Sequence, residues 1–382
     1  MSIYLDYNAS APIDPTVLAT MVDVYQNHIG NADSRTHDYG DQARGVVETA
    51  RKQVASLLGI DATEVFFTSG STESNNIAIQ GLEAYANECG KKHIITSSIE
   101  HKSVLETAKA MSKRGFEVDI VDPEPSGSIS VNKVMSLVRP DTLLVSIMHV
   151  NNETGQIQPI LELGNKLAET STFFHIDATQ SCGKLVKELK MAQYDMLSFS
   201  AHKLQGPQGV GVLVLRKKHY VLPPVKGILY GGQQEHGIRP GTIPVALVAG
   251  CGKACELAEK NNEANLLKMT AIKSLICQLL NESGVKYSIN GNEESCICNT
   301  LNICFYGVSS EALMIMTKNY CGISNGSACN SSSYSPSYVL QAMGVPTEQI
   351  EDSVRISWGP ETDFNSVQEE FSKLLSAVKK MA

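Results

Sequence analysis

Two segments carry side chains whose type and setting could do chemistry. Cys329 lies in Ser324-Asn325-Gly326-Ser327-Ala328-Cys329-Asn330-Ser331-Ser332-Ser333, a run with almost nothing that could fill a core. A structural thiol packs as a small hydrophobe among apolar neighbours. Here the thiol is instead the one strong nucleophile on a Gly- and Ser-rich stretch, which predicts a loop that offers it to solvent. The bland alternative is a polar loop with an incidental cysteine. The second segment, Ser198-Phe199-Ser200-Ala201-His202-Lys203, places an amine after a hydroxyl and an imidazole spaced to flank an anion. An exposed lysine is protonated and a poor nucleophile, whereas a partly buried one in a polar setting can form a Schiff base.

Further segments turn this pair into a constellation. Ser69-Gly70-Ser71-Thr72-Glu73-Ser74-Asn75 joins a strand to a helix, and hydroxyls with backbone N–H groups at a helix start make an anion site. Capping Ser and Thr occur at most helix starts, so this signal is weak alone. In Phe174-His175-Ile176-Asp177-Ala178-Thr179-Gln180 a carboxylate ends an apolar strand, where its charge is costly without a partner. A pyridinium N–H is such a partner, with Gln180 within reach of the phenolic oxygen of the same ring. His101, in Ser98-Ile99-Glu100-His101, could stack on a flat cofactor, although a lone His is more often a satisfied core residue. Phosphate cup, pyridinium anchor, Schiff-base lysine and stacking imidazole together describe pyridoxal 5′-phosphate.

The elements that must position these groups follow from patterning. The middle of the chain alternates apolar strands with amphipathic helices: strands over 64–68, 93–96, 117–121, 143–150, 173–177, 196–200 and 209–215, helices over 75–84, 103–113, 132–138 and 159–170. Repeated β-α-β units predict an α/β fold with a mostly parallel sheet between helices, whose ligands gather at the strand carboxyl ends. The Gly-Pro turn before 209–215 predicts an antiparallel neighbour there. After about residue 260 the texture changes to a smaller α+β domain: a helix over 261–283, strands over 286–289, 295–304 and 353–357, and helices over 311–318, 336–343 and 365–380. The first strand, 3–5, is expected to join it. The predicted division is 15–258 for a large cofactor-binding domain, with 1–14 and 259–382 forming a small domain that carries the Cys329 loop.

Composition bounds the remaining possibilities. The 382 residues are 42% hydrophobic and 19% charged, as in a compact enzyme, and the net charge of −8 disfavours direct nucleic-acid binding. No run approaches the roughly 18 apolar residues of a membrane span, and no signal peptide opens the chain. Ten scattered cysteines in a well-cored chain predict reduced thiols and a cytoplasmic location. Cys296-Ile297-Cys298 and Cys304 have the wrong spacing for a zinc knuckle and read as core and strand residues, so no metal is expected.

With these residues in view, the chain resembles the cysteine desulfurases of the NifS/IscS type, class-V aminotransferases of pyridoxal-phosphate fold type I. The likeness runs nearly end to end, through Tyr4-Leu5-Asp6-Tyr7-Asn8-Ala9, Ser69-Gly70-Ser71-Thr72-Glu73-Ser74-Asn75, Glu100-His101-Lys102, Asn151-Asn152-Glu153-Thr154-Gly155, Asp177-Ala178-Thr179-Gln180, His202-Lys203, Arg239-Pro240-Gly241-Thr242 and Gly326-Ser327-Ala328-Cys329. It implies a large domain with a seven-stranded sheet. Lys203 would carry the cofactor, Asp177 hold the ring nitrogen, Gln180 meet the phenolic oxygen and His101 stack. Ser71, Thr72, Ser200 and His202 would bind phosphate, joined by Thr242 from the second subunit of a homodimer. Asn152, also beside the cofactor, and Arg355 would hold the carboxylate of the substrate L-cysteine. Ala201, Pro240 and Trp358-Gly359-Pro360 depart from the usual family residues without replacing a reacting group.

The activity so implied converts L-cysteine to alanine. Lys203 would take the Cα proton, and the Cys329 thiolate would attack the substrate sulfur and emerge as a persulfide for an acceptor protein in iron–sulfur cluster assembly, tRNA thiolation or DNA phosphorothioation. A free thiol is only about 3% ionised at pH 7, so it needs a base or cation, for which His101 is the candidate. Two other readings compete. An aminotransferase, β-lyase or selenocysteine lyase would be indifferent to Cys329. A non-catalytic sulfur-relay scaffold would tolerate substitution at Lys203.

Overall fold

The computed structural model describes residues 2–325 and 336–382. Its strands, in chain order, are β1 (Ile3–Tyr4), β2 (Val65–Thr68), β3 (His93–Ser97), β4 (Glu117–Val121), β5 (Thr142–Met148), β6 (Phe173–Asp177), β7 (Met196–Ser200), β8 (Gly211–Leu215), β9 (Tyr287–Ile289), β10 (Thr300–Phe305), β11 (Cys321–Gly322) and β12 (Ser353–Ser357). Seven of them form one sheet in the order β2-β8-β7-β6-β5-β3-β4. Strands β4, β3, β5, β6 and β7 run parallel, and β8 is antiparallel to both of its neighbours. Strands β5, β7 and β8 are buried along their whole length, as expected of a sheet covered by helices on both faces.

A second core lies under the antiparallel sheet β12-β10-β9, built from Leu301, Ile303, Phe305, Ile356 and Trp358 with the helices Asn262–Ser283 and Phe364–Met381. Strand β1 pairs in parallel with β11, so the chain start does join this C-terminal part.

The strands over 117–121, 173–177, 196–200 and 353–357 fall where the sequence predicts them. Two segments differ most. The helix expected over 75–84 spans Ser71–Gln80, because it starts directly after Gly70 and stops at Gly81, where a Cβ would lie 2.4 Å from the Ile77 carbonyl oxygen. The strand expected over 295–304 is confined to Thr300–Phe305. Asn292 caps a short turn at Glu293–Ser295 by accepting from the Glu294 N–H, and the Ile297 N–H turns aside to the Gly155 carbonyl. Cys304 is buried in β10, and Cys296 and Cys298 are half-buried in the approach to it.

The helices Pro15–Asn27, Asp38–Leu58 and Val245–Lys260 are found only in the structure. Val245–Lys260 buries Ala246, Ala249, Gly250, Cys251, Gly252 and Ala254, small residues that give little apolar periodicity. They permit a close crossing: a Cβ on Gly252 would stand 2.5 Å from the Ala50 Cα.

A buried ion pair ties the Asp38–Leu58 helix to the segment before Thr242. Arg51 donates to Glu235 at 2.7 and 3.0 Å, and Glu235 also accepts from the Phe67 N–H at 2.8 Å. Glu235 is held at φ 47°, a left-handed conformation for a residue with a side chain. Glu235→Ala removes the buried carboxylate from Arg51, leaving it the half-exposed Glu48 at 3.2 Å, and is expected to cost about 3 kcal/mol, read as a lowered urea midpoint.

Candidate active site

Five strands of the large sheet deliver side chains to one place. Asp177 ends β6 and Ser200 ends β7, with His202 and Lys203 on the single turn Ala201–Lys203 that follows. His101 comes shortly after β3, Asn152 shortly after β5, and Ser71 and Thr72 after β2. Arg355 arrives from β12 of the other sheet. Ser71, Thr72, His101, Asn152, Asp177, Gln180, Ser200, His202, Lys203 and Arg355 all line a single cavity of about 600 Å³. Thr242 is exposed and is not in that lining. Cys329 lies outside the described residues.

The β2 loop reaches β7 across the intervening β8 because Gly211, at the start of β8, has no side chain. A Cβ there would sit 2.5 Å from the Gly70 Cα. Ser200 Oγ can then accept from the Ser71 N–H at 2.8 Å. The Ser71–Gln80 helix opens into the cavity with no side-chain cap, leaving the N-terminal end of its dipole facing the same space. Glu73, in its first turn, accepts from the Ser69 N–H and pairs with Arg239 at 3.2 Å, which offsets its charge.

Lys203 Nζ donates to the carbonyl oxygens of Asn8 and Ala9, each at 2.6 Å. Asp177 is 4% exposed; Oδ1 accepts from the Thr179 N–H and hydroxyl at 3.0 and 2.5 Å, and Oδ2 from Asn75 at 2.8 Å. Gln180 Nε2 donates to the Asn8 carbonyl at 3.0 Å, while its buried Oε1 has no partner among the described residues. Arg355 is anchored by Asp6 at 2.5 Å and by the Asn152 carbonyl at 3.0 Å, and its buried Nε–H has no partner among the described residues. His101 caps the Lys102–Ser112 helix through Nδ1, which faces the Ser103 N–H at 3.1 Å and hydroxyl at 2.8 Å. Glu100 and Glu153, each one residue from a lining residue, are pushed up to about 8 and about 7, chiefly by burial.

Asn8, Asn75, Ser103 and Asp6 bond to the residues lining the cavity or to one another, and sequence reasoning did not single them out. Asn8, Asp6 and Asn75 stand inside the segments that carried the resemblance. Nothing in the sequence places the chain start against Lys203, or Ser103 beside Asn75.

Residues on either side of Cys329 are fixed close to the cavity. Ser324 exchanges backbone hydrogen bonds with Arg355 at 3.2 and 2.5 Å. Ser337 donates to Glu153 at 2.5 Å, and the Tyr338 hydroxyl donates to the Glu100 carbonyl at 2.7 Å.

A mostly parallel sheet with an amine, a buried carboxylate and an anion cup at its strand ends defines an enzyme of the aminotransferase architecture. The chain belongs to the class-V aminotransferase family, which matches residues 3–369, and within it to the cysteine desulfurases. It is 42% identical over 359 residues to the cysteine desulfurase IscS of Anaeromyxobacter dehalogenans, covering 94% of this chain and 87% of that one. It is 40% identical to the IscS of Vibrio vulnificus, covering 100% and 94%. Among solved structures, a NifS-like protein superposes with a TM-score of 0.91 at 33% identity over the full length of both chains. DndA from Streptomyces lividans superposes at 0.81 with 41% identity, covering 92% of this chain and 98% of that one. SspA in complex with cysteine also gives 0.81, at 35% identity over 95% and 100%.

Burial first, and the charge of Lys203 second, lower the His202 pKa from 6.5 to about 4. The folded protein therefore binds fewer protons here than the unfolded chain does between those values, and stability falls as pH drops through that window. In cofactor-free protein, His202→Gln is expected to flatten the decline of the urea midpoint between pH 6.5 and 4. An unchanged slope contradicts a neutral, half-buried His202.

Proposed function

We propose that the protein is a pyridoxal-phosphate-dependent cysteine desulfurase that converts L-cysteine to L-alanine and carries the removed sulfur as a persulfide on Cys329. The observation that carries this reading is the single cavity that gathers ten of the predicted residues around Lys203 and Asp177.

The residues fit the cofactor. A phosphate suits the uncapped start of the Ser71–Gln80 helix beside Thr72, Ser200 and a neutral His202. Asp177 has lone pairs to spare for a ring N–H, since Thr179 and Asn75 occupy only part of its acceptor capacity. Gln180 and Asn152 each present a buried side-chain oxygen without a partner. At Asn152 an amide turned about its axis would exchange that oxygen for a donor, whereas the Gln180 nitrogen is held by the Asn8 carbonyl at 3.0 Å and its oxygen suits a phenolic O–H.

When bound, the cofactor supplies an electron sink for a carbanion at the substrate Cα. Asp177 keeps the ring nitrogen protonated, and Lys203, released from Asn8 and Ala9, serves as the acceptor of the Cα proton. Arg355 turns its unpartnered Nε–H to the substrate carboxylate while Asp6 and the Asn152 carbonyl hold the guanidinium in plane. Cys329 attacks the substrate sulfur: the S–S bond forms as the Cβ–S bond breaks. L-cysteine and one thiol become alanine and one persulfide, so sulfur is oxidised as Cβ is reduced to a methyl, with no outside oxidant.

The exposed Thr242, absent from its own chain's cavity, supports a homodimer in which it completes the partner's phosphate site. The two cores support a division near residue 258, with the chain start in the smaller part, although Val339, Leu340, Met343 and Ile350 pack into the larger core. All nine described cysteines are unpaired, which supports a cytoplasmic location. Among the described residues no helix is long and apolar enough to cross a membrane.

Incubation with L-cysteine and a reductant is expected to yield alanine and sulfide in equal amounts. Cys329→Ser keeps the bound-cofactor absorbance and loses sulfide release; full turnover by this variant discards the persulfide. Lys203→Ala loses both the wild-type absorbance and turnover. Asp177→Ala is expected to bind the cofactor more weakly and to lose most of its activity, and a near-normal rate removes Asp177 from its role.

A further inference from the structure

Asn75 and Ser103 join two of the site residues by a chain of hydrogen bonds with one permitted direction. Asn75 lies in the Ser71–Gln80 helix and is fully buried. Its amide nitrogen is 2.8 Å from Asp177 Oδ2 and 2.8 Å from Ser103 Oγ. Turning the amide over would press its oxygen against the carboxylate, so charge fixes the nitrogen in this place. Both amide hydrogens are thereby committed, and Ser103 Oγ must accept from Asn75.

The single hydroxyl hydrogen of Ser103 then goes to His101 Nδ1, 2.8 Å away. The Ser103 backbone N–H meets the same ring nitrogen at 3.1 Å, and a backbone N–H cannot reverse its polarity. Nδ1 is therefore an acceptor twice over and holds no hydrogen of its own. A neutral imidazole in that state carries its proton on Nε2. His101 is also the N-cap of the Lys102–Ser112 helix, where the dipole opposes a cation. To act as a base the ring would have to take a proton on Nδ1, the nitrogen already closed by two donors.

We propose that Asn75 and Ser103 are positioning residues that lock His101 in the Nε2–H tautomer, making it a neutral hydrogen-bond donor at the cavity and not a proton acceptor. What His101 donates to rests on the desulfurase reading; the lock itself does not. On this proposal a base for the Cys329 thiol, for which the sequence offers His101, must be another group.

The test is nitrogen NMR of holoenzyme labelled with ring-15N histidine, with the His101 signals assigned by their loss in His101→Gln. Wild type at pH 7 is expected to show a bare Nδ1 and a protonated Nε2 in a single tautomer. Ser103→Ala and Asn75→Ala keep the Ser103 backbone N–H on Nδ1, so they are expected to hold the Nε2–H tautomer but to move the Nδ1 signal as the hydroxyl donor is lost or freed, and Ser103→Thr, which restores the hydroxyl, to return it. A wild-type His101 that is imidazolium or Nδ1–H overturns the proposal even if neither alanine variant folds. So does a folded Ser103→Ala whose His101 signals match wild type. Absence of alanine production with the tautomer intact would instead count against the desulfurase reading alone.

Discussion

Asp177 sits at the end of a buried strand with 4% of its surface exposed, and a carboxylate at that depth is held ionised by its neighbours or not at all. Its neighbours are chosen accordingly: the Thr179 N–H and hydroxyl on one oxygen, the Asn75 amide on the other. These donors are neutral, so they stabilise the charge without cancelling it. A negative charge preserved in this way is what a protonated ring nitrogen needs as its partner, and it also orients Asn75. Through Asn75 and Ser103 the same charge sets which nitrogen of His101 bears the proton.

Topology brings the rest of the machinery within reach of that charge. Neighbouring parallel strands β5, β6 and β7 end side by side, so the residues after them share one edge of the sheet. Reversal of β8 lets the β2 loop close over its start, and Gly211 keeps the crossing free of a side chain. The chain start then supplies the Asn8 and Ala9 carbonyls that hold Lys203, and β12 supplies Arg355. The cavity is therefore shared between residues far apart in the sequence.

Most of this site was legible in the sequence where a reactive side chain followed an apolar strand. Asp177, Ser200, His202 and Lys203 are of that kind, and the strands before them, Phe173–Asp177 and Met196–Ser200, are mostly apolar and need no tertiary context to be recognised. The residues that escaped are those whose roles exist only through a distant partner. Asn75 reads as an ordinary polar residue of a helix until Asp177 is placed beside it, and Ser103 as the first residue of the helix predicted over 103–113. Asp6 is the same case: its carboxylate matters because Arg355 lies 349 positions away in the chain and within hydrogen-bonding distance in space. The Val245–Lys260 helix escaped for another reason, since a face of Ala, Gly and Cys packs closely without a strong hydrophobic signal.

The central claim is an itinerary for one sulfur atom, and it can be followed directly. After a single turnover with L-cysteine and no reductant, peptide mass spectrometry should find one added sulfur on the peptide that contains Cys329, in step with the alanine formed. Alanine appearing while that thiol stays unmodified, with the sulfur released straight to solution, would contradict the account.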